Sequence, residues 1–421
     1  MISRRGFLAA AAAAGVSVTG VGQRLAFGQA AAGAPAVPPR ANEVTVSAGA
    51  IDRPETIVTF PADPALAGSY PELAAEGGPT TPLQYTPDGR GVFVARGLKA
   101  GESRTYRVML VKRSEAPADR AVADWKGGAV RVTADGRDVL IYRGEKTKTP
   151  AGIEPIFARG GYIHPLVTPG GVTVTDDYAP GHKHHHGVWA PWTATRFEDR
   201  KPDFWNMGQG SGTVEFVGLD KAWSGRVTAG FSSNHRFVDL SAKPDPKPAL
   251  NETWRVDAYA LSAGKDAPKF HLFDWQSTQT TASQAPLLLP KYYYGGLGVR
   301  GHAQWDGATN SQFLSSEGKT RKDGNETRGK WMAIYGKVDG KPGYIAVLCA
   351  PGNFRSPQPI RFHPKEPFMC YAPQQLGDFS IEPGKPYVMR YRFVVGDGEP
   401  VKADLDRLWE DYANPVKVEV R

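Results

Sequence analysis

Short stretches in which apolar and polar residues alternate dominate this chain. They are RTYRVMLV (104–111), AVRVT and RDVLIY across 129–142, GGVTVTDDY (170–178), GTVEFVGL (212–219), ETWRVDAYAL (252–261) and YVMRYRFVV (387–395). A period of two sends successive side chains to opposite faces of a strand, and each stretch stops at Gly, Pro, Asp or Asn, which is how antiparallel strands are punctuated. Asp135-Gly136 and Asp339-Gly340 stand between such runs and predict tight hairpin turns. A helical period is convincing only over 401–414, where Leu405, Leu408, Trp409 and Tyr412 form one stripe suited to the outside of a sheet. The pattern predicts an all-β protein: a small β module over 43–115, a large antiparallel β-supersandwich over 120–421, and a C-terminal helix. The larger span is too long for an ordinary sandwich of about 100 residues.

The first thirty residues change the picture of where the chain works. Ser3, Arg4, Arg5, Phe7 and Leu8, followed by an alanine-rich run, form a twin-arginine signal over 1–30, with a low-complexity lead-in over 31–42. Export by the twin-arginine machinery to the periplasm or beyond is therefore expected. No later stretch approaches the roughly 18 uninterrupted apolar residues of a spanning helix, so no membrane association is expected after cleavage. The formal charge of +8 includes Arg4, Arg5 and Arg24, and the remaining excess is modest. With no basic run, it argues against a nucleic-acid partner and suits an acidic or strongly polar small substrate. Cys349 and Cys370 lie in apolar strand-like contexts, as a disulfide or as two buried thiols.

Candidate chemistry concentrates in GHKHHHGVWAPW, 181–192. The chain has nine histidines, and His164, His182, His184, His185 and His186 fall within 164–186. On a strand, His182, His184 and His186 share one face; in a turn, consecutive imidazoles fan out and several can converge. Either arrangement can place imidazoles on a metal ion or poise them for proton transfer near neutral pH. Asp176-Asp177 lies close upstream and could orient an imidazole. The candidate metal set is His164, His182, His184, His185 and Asp177, holding one divalent ion whose identity the spacing does not reveal. Glu252 and Glu326 are candidate acid/base carboxylates by type alone.

Aromatic residues gather near turns and glycines, Trp189, Trp205 and Tyr294 among them, where they serve either as stacking platforms for sugar rings or as core. Arg300 and His302 follow in KYYYGGLGVRGH. The run APGNFRSPQPIRFHP, 350–364, is too proline-rich for a central strand and is expected to be a surface loop. Its Arg355, Arg361 and His363 could hold a carboxylate or a set of hydroxyls, or tie the loop to backbone carbonyls.

The runs GYIHPLVTPGGVTVTDDYAPGHKHHHGVWAPW, DFWNMGQGSGTVEF, YGGLGVRGHAQW, GNETRGKW and APGNFRSPQPIRFHPKEPFMCYAPQQLGD resemble the "methane oxygenase PmoA-like" domain family over roughly residues 45–415. The family motif reads Asp-His-Pro-His-His-Arg-Gly-Leu-Trp. His182, His184, His185, Gly187 and Trp189 match it; Gly181, Lys183 and His186 depart from it. The resemblance implies a secreted protein of saccharide-using bacteria, with a fold similar to the galactose-mutarotase-like supersandwich. The expectation is then a periplasmic enzyme that cleaves or modifies a glycoside by hydrolysis or β-elimination. His184, His185 and Glu252 are its expected catalytic groups, and Trp189, Trp205, Tyr294, Arg300, Arg355, Arg361 and His363 its contacts to a saccharide, acidic or oxidised. An aldose 1-epimerase-like enzyme, a non-catalytic sugar-binding protein and a copper or iron redox protein stand as alternatives.

Overall fold

The computed structural model describes residues 42–111, 118–262 and 268–421, all within one compact unit, Pro38–Arg421. The twin-arginine segment, most of the lead-in and part of the linker at 111–120 lie outside the described residues.

Two eight-stranded antiparallel sheets form the main body. One is built from long strands, Gly212–Trp223, Thr228–Asp239, Lys247–Tyr259, Phe270–Thr281 and Tyr387–Asp397, extended by Lys341–Cys349, Trp331–Val338 and Ser311–Ser315. The other runs from Ala121–Lys126 through Ala129–Ala134, Arg137–Arg143, Tyr162–Leu166, Val188–Trp189, Gly298–Arg300 and Phe368–Tyr371 to Ile360–Phe362 at its edge. Their facing side chains make the principal core. Val132, Leu140, Ile163 and Met369 from one sheet meet Phe231, Trp254, Val256, Phe273 and Phe393 from the other, as the period of two requires.

The long-stranded sheet is covered on its second face too. There Leu272, Ala346 and Val394 pack with Leu405 and Leu408 of the helix Lys402–Ala413 and with Val92 and Val94 of a third sheet. This third sheet has seven strands: Arg53–Pro61, Arg90–Leu98, Thr80–Thr86, Tyr70–Ala75, Ser103–Val111, Glu43–Ser47 and, from the far end of the chain, Lys417–Val420.

The expected all-β architecture and external helix are what the structure has. Asp135 (φ 49°) and Gly136 (φ 73°), like Asp339 (φ 50°) and Gly340 (φ 78°), carry the two left-handed positions of the predicted hairpin turns. Two expectations are corrected. The run 170–178 is no continuous strand: Thr173 and Thr175 make isolated bridges to Val167 and Gly301, and a regular strand begins only at Asp177. The loop at 350–364 contains the strand Ile360–Phe362, which tolerates its neighbouring prolines because it is a sheet edge, paired only with Phe368–Tyr371. Cys349 and Cys370 are both buried and unpaired.

Candidate active site

The histidine run forms one arm of a small hairpin, Asp177–Ala179 against His182–His186, turned by Gly181 at φ 78°. Ala179 pairs with His182 and Asp177 with His186, so Tyr178 alone stands opposite three residues, Lys183, His184 and His185. Such a bulge breaks the two-residue alternation. His184 and His185, although adjacent, therefore both join His182 at one pocket, while His186 turns to Asp177. The His182 and His185 rings stack with centroids 4.7 Å apart; the His184 ring stands edge-on to His185 at 4.8 Å. Behind the hairpin, Gly187 (φ 52°) packs so tightly that a Cβ there would fall 2.2 Å from the Ile163 carbonyl oxygen.

Glu366 completes the group. It follows a turn in which His363 Nδ1 accepts from the Glu366 backbone N–H at 2.9 Å. The fully buried Arg300 guanidinium donates to Glu366 Oε2 at 2.5 Å and to Asp306 Oδ1 at 2.6 Å, which fixes the carboxylate plane. The other oxygen, Oε1, lies 2.9 Å from His182 Nδ1 without hydrogen-bond alignment. One ligand atom each from His182, His185 and Glu366 falls within 4.8 Å of the others. His185 Nδ1 is buried with no partner among the described residues, an expensive state for a polar atom unless a ligand meets it.

The electrostatics favour neutral imidazoles beside an ionised carboxylate. Burial pushes His185 well below the usual histidine value, with His184, His182 and Arg300 adding to the effect. His184 is lowered to about 4, chiefly by burial and then by His182, and His363 to about 4, chiefly by burial. For Glu366, burial works upward, but the His182 and Arg300 contacts outweigh it and hold the group at about 2. Ring lone pairs are thus open to a metal cation near neutral pH.

These groups open into a pocket of about 140 Å³. Trp205 and Phe368 form its base, Tyr294 and Asn206 one wall, joined through the tyrosine hydroxyl at 3.0 Å, and Tyr293, Arg361 and His363 the rim. Larger clefts exist. That of about 430 Å³ where the long-stranded sheet meets the seven-stranded sheet and the helix is crossed by closed ion pairs such as Arg90–Asp257 and Arg392–Asp274, both 2.7 Å. Convergence of unmet polar groups, rather than size, distinguishes the histidine pocket.

The residues singled out in the sequence divide accordingly. His182, His184, His185, Trp205, Tyr294, Arg361 and His363 come together in the pocket. His164 and Asp177 do not join the convergent set. His164 Nδ1 pairs with Thr175 Oγ1 at 3.0 Å, while Asp177 is engaged by His186 Nδ1 at 2.7 Å and by the Tyr162 hydroxyl at 2.8 Å. Glu252 sits elsewhere, 3% exposed inside the sandwich. It meets His235 Nδ1 at 3.0 Å and accepts from Ser277 and Gln279 at 2.5 and 2.8 Å. Trp189 is fully buried against Trp205, His185 and Phe368, so it has no face for a sugar, and Trp205 is only 1% exposed. Arg300 holds Glu366 instead of reaching the pocket. Arg355 donates to the backbone oxygens of Pro373, Gly377 and Asp378, which ties down its loop. Sequence reasoning missed Glu366; its one signal was a carboxylate three residues after His363 in the proline-bounded stretch FHPKEP.

An all-β sandwich with a pocket of histidines and one anchored carboxylate is the class this geometry defines. The chain belongs to a family of unknown function, DUF6807, whose model matches residues 129–410 and so takes in the whole histidine pocket. That match corrects the PmoA-like assignment made on the motifs. Comparison with curated proteins gives no match. Among solved structures, a mutant of the heparan sulfate lyase HepC from Pedobacter heparinus aligns at 10% identity and TM-score 0.33, over 68% of this chain and 38% of that one. An alpha-mannosidase from Enterococcus faecalis V583 aligns at 9% identity and TM-score 0.42, over 91% of this chain and 46% of that one. The chain thus spans less than half the length of either protein.

Proposed function

We propose that this protein is an exported carbohydrate-active enzyme that cleaves or modifies a glycoside, by hydrolysis or β-elimination, with one divalent metal ion bound by His182, His185 and Glu366. The observation that carries the reading is the convergence of those three side chains on one point, with His185 Nδ1 buried and unpartnered beside an open pocket. Two imidazoles and a carboxylate with an open side are a donor set that suits a catalytic divalent ion. Such an ion polarises an oxygen or lowers the pKa of a bound water. His184, edge-on to His185, is placed to take or give the proton, while Asn206, Tyr294 and His363 offer hydrogen bonds to hydroxyls. A pocket this small, against the usual 300–1,000 Å³ or so of ligand sites, suits one terminal unit of a longer saccharide. The periplasmic location rests on the twin-arginine segment.

A metal-free reading has one observation of its own: His182 beside Glu366 is an imidazole–carboxylate pair capable of proton transfer or anomeric epimerisation. Metal analysis of protein purified without chelator, together with a screen of oligosaccharides against wild type and His184→Ala/His185→Ala, separates the readings. About one equivalent of metal and turnover abolished by chelation are expected; full turnover of metal-free protein would leave the imidazole–carboxylate pair as the working group. Product mass distinguishes elimination from hydrolysis by one water.

A further inference from the structure

Arg361 differs from the other groups around the pocket. It is the only lining residue with a fixed positive charge, and no carboxylate lies within ion-pair distance of it among the described residues. The guanidinium is held in place without being neutralised. Its Nη1 donates to Asn325 Oδ1 at 3.0 Å, and its carbon stands 5.3 Å from the centroid of the Tyr293 ring. Its remaining donors have no partner among the described residues. One hydrogen bond and one ring contact anchor the group and leave four N–H donors, which make a fork suited to a planar or tetrahedral anion. The contrast with Arg300 is direct, since both terminal nitrogens of that arginine are engaged by carboxylates, Glu366 and Asp306. Glu366, the carboxylate beside the histidines, is already held by Arg300, and no acid lines the pocket to offset Arg361. Tyr293, 47% exposed, adds an aromatic surface at the same rim.

We infer that the substrate is an acidic saccharide and that Arg361, steadied by Asn325 and Tyr293, is the specificity residue that binds its anionic substituent. The inference rests on the saccharide reading above and adds the charge to it. A uronate carboxylate and a sulfate ester share the chemistry, and the geometry admits both.

The test is calorimetric binding of three probes to the full mature chain: methyl glucuronoside, methyl glucoside 6-sulfate and neutral methyl glucoside. Wild type is expected to bind at least one anionic probe about tenfold to a hundredfold more tightly than the neutral one, the range of a charge-assisted hydrogen bond. Arg361→Met should erase that preference while neutral binding and melting temperature stay unchanged, and Arg361→Lys should restore part of it. The uronide and sulfate arms tell which anion is preferred. Equal binding of all three probes by wild type, or a preference that survives in Arg361→Met, overturns the role of Arg361 and leaves the saccharide reading standing. Binding of none of the three overturns both.

Discussion

Two clusters in this molecule are made from the same residue types and have opposite characters. In the sandwich interior, His235 Nδ1 meets Glu252, His235 Nε2 meets the Tyr142 hydroxyl at 2.6 Å, and Glu252 takes further hydrogen bonds from Ser277 and Gln279. Both ring nitrogens of His235 and both oxygens of Glu252 are used, and neither residue reaches solvent. At the pocket, His185 Nδ1 has no partner among the described residues, His182 approaches Glu366 out of alignment, and the group opens outward. A satisfied polar cluster in a core holds strands in register. One left unsatisfied beside a cavity is arranged for something that arrives from outside. The residue types alone do not separate these cases; the hydrogen-bond accounting does.

The comparison can be broken by experiment. Glu252→Ala should cost about 3–5 kcal/mol of stability by leaving His235 and Gln279 stranded in the core, read as a lower denaturant midpoint, with turnover per folded molecule unchanged. A selective loss of turnover at unchanged stability would return Glu252 to the chemistry. His182→Ala should do the reverse: at least a 100-fold loss of kcat/KM, about 2.7 kcal/mol of transition-state stabilisation, metal content near zero, and little change in chemical denaturation. Tyr142→Phe removes one hydrogen bond from the buried cluster and should cost about 1 kcal/mol, with no kinetic effect.

The smallest effect is on the pH dependence of folding. Burial raises the Glu252 carboxyl, but the hydrogen bond and charge of His235, with Gln279 and Ser277, outweigh it and set the group below its ordinary value of 4.5. A depressed carboxyl contributes stability that is present above the unfolded-state value and lost as pH falls through the folded one. Wild-type stability should therefore drop on acidification below about pH 4.5, and the drop should be shallower in Glu252→Ala, measured by urea titration at a series of pH values.

Much of the scaffold was legible because it depends on local pattern. Asp-Gly pairs call for left-handed residues, alternation calls for strands, and the stripe Leu405–Leu408 calls for a helix against a sheet. The pocket was legible in part. The histidine run announced itself, but strand periodicity sends His185 to the opposite face from His182, and only the bulge opposite Tyr178 brings them together. Glu366 was hidden because its worth comes from Arg300, which lies on a strand far from it in sequence. Glu252 was misread for the same reason in reverse: His235 faces it through the register of two long strands, which no single stretch of sequence displays. Trp189 and Trp205 carried a signal common to sugar platforms and core, and burial decided between them.

The pairing of Glu43–Ser47 with Lys417–Val420 also has a consequence in time. A ribosome makes the first of these strands long before the second, so the seven-stranded sheet keeps an open edge until nearly all of the described chain has been synthesised. Closing that edge is then among the last steps of maturation. The joining of these two strands therefore reports that the chain between them has been made.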